Sequence, residues 1–400
     1  MRFWLFVLMF ALLAGSATAQ QVPTAADDPV ANARFHFGVI ALDPRFAVTS
    51  LGVDTNVFNS GFNEQSDFTF GVKPGTDMFL RTGRGLLTVR GNLEYVHFAE
   101  FESERSVNTD VLGRYEFRFN RFRPYASASW LDTKERPGYE IDARARHYEA
   151  DYHAGGDLRV ASKSTARVDF GHLDYSFAGD EVFNGRPLNE QLNRTLRALE
   201  VSWRQRLTAL TTWIVRVSRE SARFEFEDLR NSDSFRLSSG FELGRFALIR
   251  GSAFVGFRSL TPEDGGILPE FSGVTADVDV SYTAPTQTRL GAAIDRDIQY
   301  SYEDRTPYYV QTGWTATLTQ RITGRWDFQL SGGRDRLAYQ SLVLLNARTD
   351  SIGRFGGGVG YTLGEETRVS FDVASHYRRS ILPGYEYGSI RAGISVNYGY

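Results

Sequence analysis

Only three of the 45 basic residues are lysines, Lys73, Lys134 and Lys163, so fixed positive charge rests almost wholly on arginine. A guanidinium stays charged and forks onto carboxylates. The arginines recur with Asp and Glu at a spacing of two. In Arg368–Arg378, the residues Arg368, Ser370, Asp372, His376 and Arg378 alternate with Val369, Phe371, Val373 and Tyr377. In Val274–Tyr282, the residues Thr275, Asp277, Asp279 and Ser281 alternate with Val274, Ala276, Val278, Val280 and Tyr282. Charges stacked on one parity support two chemistries: a wall cross-linked by ion pairs, or fixed charges that set the field of an aqueous passage. A GC-rich genome also favours arginine codons, so the excess alone does not choose. The same parity, followed along the chain, assigns Arg90, Glu94, Arg114, Glu116, Arg216, Arg236, Glu242, Arg250, Arg258, Asp277, Asp279, Asp295, Arg354, Arg368, Asp372 and Arg391 to one charged inner face.

Other chemistries find no residue pattern. The six histidines are scattered without metal-ligand spacing. A nucleophile elbow, a phosphate loop and a zinc-binding helix motif are all absent. His172 with Asp169, Asp174 or Ser176 imitates a hydrolase constellation, but in-strand spacing of that kind is nonspecific. No catalytic residue, metal or cofactor is therefore expected. The chain has no cysteine, hence no disulfide framework and no thiol chemistry. A net charge of -3 is too balanced to point to nucleic acid.

The elements that must carry the charged face are strands, because only a strand sends successive side chains to opposite sides. From Arg45 onward, alternating pieces long enough for a tilted membrane strand repeat to the end of the chain. Tight connections near Thr82–Gly85, Asn120–Arg123 and Ala161–Ser164, and so on to Gly364–Glu366, alternate with longer ones such as Asp132–Arg146 and Ala178–Asn193. Short turns at one rim and longer loops at the other are the pattern of an outer-membrane barrel. The count is 18 strands, or 16 if the first hairpin is irregular. Lys73-Pro74-Gly75 interrupts the second strand and makes that pair the weakest. No connection is long enough for a large inward-folding loop, and Asp132–Arg146 and Ala178–Asn193 are the best candidates for partial occlusion. Trp203, Trp213 and Trp326 fall near the tight turns, and Trp130, Tyr95, Tyr148, Tyr300, Tyr308 and Tyr377 near the loops, as two interfacial girdles would. Tyr125, Phe254 and Tyr309 are the clear mid-strand aromatics of inward parity. The row Gly356, Gly358, Gly360 leaves a strip of inner wall without side chains, to seat a loop or to relieve crowding. Arg296 breaks the parity of its strand. A polar inner face accounts for a mean hydropathy of -0.32 in a chain that lives in lipid.

The two ends complete the layout. Met1–Ala19 reads as a signal peptide: a short basic start, an apolar run from Phe3 to Leu13 and an Ala-x-Ala site. Residues 20–44, with Pro23, Pro29 and Pro44, read as a periplasmic segment that hangs free or plugs the lumen. Residues 45–400 read as the barrel. Its last strand alternates Ile390, Ala392, Ile394, Val396, Tyr398 and Tyr400 with Ser389, Arg391, Gly393, Ser395, Asn397 and Gly399. An aromatic closing residue resembles the last strand of bacterial outer-membrane barrels.

The run Leu51-Gly52-Val53-Asp54-Thr55-Asn56-Val57-Phe58, preceded by Leu42-Asp43-Pro44-Arg45, resembles the opening of a family of outer-membrane β-barrel porins often associated with exopolysaccharide production and export. That resemblance implies a pore-forming or export-associated barrel in the bacterial outer membrane and brings no catalytic residues. The expectations are thus a porin-like channel that supports exopolysaccharide export, a non-conducting structural or assembly component of an envelope machine, or a barrel hydrolase. The expected partners are outer-membrane lipid, the barrel-insertion machinery through the C-terminal strand, and polysaccharide or small solutes.

Overall fold

The structure, a computed structural model, describes residues 28–244, 247–263, 268–342 and 348–399. The expected signal peptide, Met1–Ala19, and the terminal aromatic Tyr400 lie outside the described residues. Eighteen antiparallel strands close into one barrel. In chain order they are β1 (Ile40–Asp54), β2 (Asp67–Thr82), β3 (Gly85–Phe98), β4 (Ser106–Phe117), β5 (Phe122–Thr133), β6 (His147–Ala161), β7 (Ser164–Phe177), β8 (Arg194–Arg206), β9 (Thr211–Phe224), β10 (Ser232–Leu243), β11 (Ile249–Pro262), β12 (Phe271–Thr283), β13 (Thr288–Tyr300), β14 (Tyr308–Thr323), β15 (Trp326–Gln340), β16 (Thr349–Leu363), β17 (Thr367–Arg379) and β18 (Tyr387–Tyr398). Each strand pairs with its sequence neighbours. β18 returns to β1, with Val396 opposite Val48 and Ala392 opposite Val53, so no edge is left open along the seam.

The alternation in sequence becomes an inside and an outside. On β11, Val255 and Phe257 are 58% and 47% exposed while Arg258 is 4% exposed. On β17, Phe371 is 55% exposed while Arg368 and Ser370 are buried. Apolar outside and polar inside is the inverse of a soluble core. It follows from the cost of about 2–4 kcal/mol for an arginine on the lipid face at midplane.

Three local expectations are corrected. Lys73-Pro74-Gly75 does not break β2. Pro74 faces Phe46 in the ladder to β1, and only the ladder to β3 skips, between Val72 and Gly75, where proline has no N–H to give. β1 begins at Ile40 rather than Arg45, and Phe35–Phe37 folds back on Ile40–Leu42 around Gly38, whose φ of +62 suits glycine. This short strand continues the line of β18 beyond Gly399, and Arg34 clasps the junction by donating to the carbonyls of Pro44 (2.8 Å) and Gly399 (3.0 Å). The described part of the N-terminal segment therefore sits at the turn-side rim, where Asp28 also pairs with Arg81 at 2.6 Å.

The wall is not uniform. β12 and β13 share a ladder only from Thr283 opposite Arg289 to Ala276 opposite Arg296. Towards the loops, β12 stays with β11 up to Phe271 and β13 stays with β14 up to Tyr300, so the two strands part. Arg296 stands at the fork. Its Nε donates to the carbonyl of Val274, freed by the parting, at 3.1 Å, and a second donor reaches Thr312 Oγ1 at 2.5 Å. Its broken parity marks the point where a backbone group in the wall needs a substitute donor.

Candidate functional site

The inner face is a lattice of ion pairs between strands. Arg90 and Arg45 share Asp77, each at 2.9 Å. Arg354 reaches Asp335 at 2.6 Å, Arg368 reaches Asp327 at 2.7 Å, and Arg391 reaches Asp54 at 2.6 Å. Arg258 joins Glu220 (2.6 Å) to Asp297 (3.1 Å), and Arg236 also pairs with Asp297. Glu242 pairs with Arg204, Glu116 with Arg118 at 3.2 Å, and Glu94 with Lys73 at 3.7 Å. Asp372 accepts from Ser370 at 2.7 Å, and Arg250 donates to Thr283 at 3.0 Å. Arg114 and Arg216 lie flat over the rings of Tyr125 and Phe254, each at 3.8 Å. Of the sequence-assigned inner acids, Asp277, Asp279, Asp295 and Asp372 form no ion pair among the described residues, although Arg216, Arg236 and Arg289 lie near enough to attract the first three, and Asp295 is exposed inside the barrel.

Several of these bonds span three strands and need a glycine in the middle. Asp327 on β15 faces Gly360 on β16, and Arg368 on β17 crosses that glycine; a Cβ on Gly360 would meet the guanidinium at 2.2 Å. Gly358 is covered in the same way by Asp372, at 2.1 Å from such a Cβ. The glycine row is therefore a channel for side chains of neighbouring strands, not a bare strip. Tyr125 repeats the device on β5: it lies over Gly155 of β6 and bonds Asp169 of β7. Asp169 also binds His153 Nδ1 at 2.7 Å, while His172 faces outward and pairs with Asp174 at 3.1 Å, so no triad forms around His172.

At the loop-end mouth the chain folds across the opening through the two connections named as candidates for partial occlusion, Asp132–Arg146 and Ala178–Asn193. The segment 134–146 leaves between β5 and β6 and contacts β13–β18, nearly half the ring away. Glu140 accepts from Ser301 Oγ (2.5 Å) and from the Tyr302 N–H (3.2 Å) of the β13–β14 loop. Asp142 accepts from Tyr387 at 2.8 Å and from Arg378, whose other arm reaches Asp350 at 2.5 Å. Arg348 extends the chain from Asp350 to Glu303, each at 2.7 Å. Tyr139 lies near the inward Arg354, whose guanidinium is 5.0 Å from its ring. Ile141, Ala145, Leu188, Leu192, Tyr175, Phe177 and Tyr302 form a buried apolar cluster beneath, so 178–193 joins the cap. Arg230, 1% exposed, donates to the carbonyls of Gln191, Ser301 and Pro307 at 2.5–2.9 Å. Burial sets the electrostatics here. It pushes the Glu140 carboxyl up to about 8 and raises Asp142 against the pull of Arg378. Burial, with Arg194 beside it, also lowers Arg230 to about 10.

The β13–β14 hairpin leans in to meet this cap. The Tyr300 hydroxyl lies 3.1 Å from Ser232 of β10, and its ring packs against Phe224 of β9. Tyr308 is 1% exposed. Neither belongs to the outer girdle, whereas Trp130, Tyr95, Trp203, Trp213 and Trp326 are exposed as expected.

The sequence profile of the family described as "Putative beta-barrel porin 2" matches residues 35–399. The chain belongs to that family. No curated protein matches it. Among solved structures, this family member is similar to the FrpB iron transporter of Neisseria meningitidis, with 10% identity, a TM-score of 0.43, and 85% of this chain and 62% of that one covered. It is also similar to an anion-selective porin from Comamonas acidovorans, with 9% identity, a TM-score of 0.39, and 90% and 100% covered. A bacterial polysaccharide outer membrane secretin aligns over 89% of this chain and 98% of that one at 8% identity and a TM-score of 0.34. This member spans about 62% of the length of FrpB.

Sequence reasoning missed the cap residues Glu140, Asp142, Arg230, Arg348 and Arg378 as a unit. The available signal was the concentration of charge in Lys134–Arg146, seven of its thirteen residues, around Tyr139 and Ile141.

Proposed function

We propose that this porin-family barrel is a gated channel for polar solutes in the bacterial outer membrane, closed at its outer mouth by 134–146. The observation that carries the reading is the junction at the mouth: a charged inner wall ends in a latch of buried ion pairs centred on Arg378. A purely structural barrel has no need of a latch made from costly buried charges. The cargo implied by the family resemblance is an exopolysaccharide. Tyr125, Phe254 and Tyr309 do not offer it an open stacking track, since each is buried and the first two lie under arginines. A saccharide would instead meet the inner hydroxyls and charges. Membership in a porin family supports a non-catalytic role. The proposed partners are outer-membrane lipid and, through β18, the barrel-insertion machinery.

The test is planar-bilayer recording on the full chain and on a variant in which 138–143 is replaced by Gly and Ser. The expected result is brief or absent steps for the native chain and stable steps for the variant, with block by soluble oligosaccharide. Silence from both, with folding shown by heat-modifiable migration, would remove the channel reading and favour a non-conducting structural role.

A further inference from the structure

The outer wall carries arginines where lipid-facing strands should be apolar, and on one sector they line up. Register places Arg296, Thr312, Arg336, Ser351 and Arg379 in one row across β13–β17, all on the outward parity. Arg334 lies one step nearer midplane, in a row with Trp314 and Tyr377. Below these come Ala292, Ala316, Gly332 and Phe355, then the leucines 290, 318 and 330. From the loop rim towards midplane, the sector therefore runs from guanidinium to aromatic to apolar. Trp314 and Phe355 are 51% and 56% exposed, which fits an interfacial level.

The row is cationic and lacks a counter-charge. Among the described residues, none of Arg296, Arg334, Arg336 and Arg379 pairs with a carboxylate. Arg296 and Arg334 are held by neutral hydroxyls, Thr312 at 2.5 Å and Ser351 at 2.8 Å, and Arg379 lies 5.4 Å from the ring of Tyr377. The opposite treatment is seen on β9 and β10, where outward Arg219 and Arg223 share Asp233 at 2.9 Å and Arg223 also reaches Glu263 at 2.7 Å. The chain neutralises the cluster there, whereas the one here, unpaired among the described residues, is open to an external anion. With alternate strands about 10 Å apart, Arg296, Arg336 and Arg379 span about 20 Å, room for more than one phosphate.

We propose that this sector binds the phosphate groups of an anionic outer-leaflet lipid. The guanidiniums fork onto phosphate oxygens, and the trough of Ala292, Ala316 and Gly332 between larger neighbours takes an acyl chain below them. The lipid is the source because the donors lie on the lipid-facing parity directly above the apolar band.

The test uses the full chain in neutral detergent and native mass spectrometry with diphosphoryl lipid A added. The native chain should retain the lipid at least about tenfold more strongly than an Arg296→Gln/Arg336→Gln/Arg379→Gln variant, and more strongly than it retains dephosphorylated lipid A. The single variant Arg336→Gln, whose side chain has no bond to lose, should show a smaller loss of the same sign, and Arg219→Gln none. Equal retention by native and triple-variant chains would overturn the proposal. So would equal retention of the dephosphorylated lipid, and so would displacement by inorganic phosphate at the lipid's own concentration, which would make a soluble anion the ligand. Heat-modifiable migration establishes that each variant is folded.

Discussion

Arg378 on β17 and Asp142 in the β5–β6 loop are 236 positions apart in sequence and form an ion pair in which the arginine side chain has no solvent contact. The same guanidinium holds Asp350 and the Glu140 carbonyl, so one side chain fixes the loop, the wall and the opposite strand ends together. Removing it should free the mouth. The Arg378→Met variant leaves the buried Asp142 carboxylate without its ion-pair partner, while Asp350 keeps Arg348, a loss of about 3–5 kcal/mol in a buried pair. The expected readouts are more frequent openings in bilayer recordings and a lower temperature of heat modification.

Cap closure should also depend on pH. Burial pushes the docked Glu140 carboxyl up to about 8, while an undocked loop returns it to the ordinary carboxyl range. The docked state therefore holds an extra proton between those limits. Docking is fully stabilised below the ordinary carboxyl pKa, weakens as pH rises, and has lost this contribution once pH passes about 8. Open probability should climb from pH 5 to 8 in the native chain, and the Glu140→Gln variant should flatten most of that rise. A native profile that closes as pH rises contradicts the assignment.

Selectivity should follow the charges that remain unpaired. Arg258 and Arg368 are spent in buried ion pairs, so their loss disturbs the wall more than the field. Asp277, Asp279 and Asp295 form no ion pair among the described residues. In the background with 138–143 replaced by Gly and Ser, Asp277→Asn/Asp279→Asn/Asp295→Asn should shift the reversal potential towards anions, and Arg250→Gln should shift it towards cations.

Glycine positions on the inner wall should divide cleanly by what lies over them. Gly360→Ala places a Cβ 2.2 Å from the Arg368 guanidinium and should cost about 1–3 kcal/mol or more by displacing its bond to Asp327. Gly155→Ala should act alike through Tyr125. The control is a glycine of the outer face: Gly91→Ala, on the outward parity with Leu93 and with nothing within 4 Å of the new methyl, should be neutral. Urea-dependent loss of heat modifiability measures all three.

The barrel was legible because lipid forbids charge on one parity, so Val274, Phe371 and their neighbours had to alternate with Asp277 and Arg368. The residues of the inner lattice were legible for the same reason, but not their partners, since Asp327 and Arg368 meet across an intervening strand. The two connections that form the cap were legible as candidates for occlusion, but not their contacts, because positions such as Glu140 and Ser301 share no local period. Tyr300 and Tyr308 misled by obeying strand spacing while their hairpin leans inward. Arg296 was the one local trace of that lean, a parity error whose cause is a missing ladder partner.

The parting of β12 from β13 has a mechanical consequence. Below Arg296 the cylinder is a stiff hoop, because widening it would rupture rows of hydrogen bonds. Above Arg296 the hoop is cut between β12 and β13, and β13–β14 is a flap held to the wall on one side, by the ladder of β14 to β15 up to Tyr308 opposite Gln340. Swinging that flap outward ruptures nothing on the β12 side and works against the β14–β15 ladder and the side chains at its tip. The barrel thus has a rigid floor and a compliant rim, and its bore can change at one end while the other end keeps its diameter.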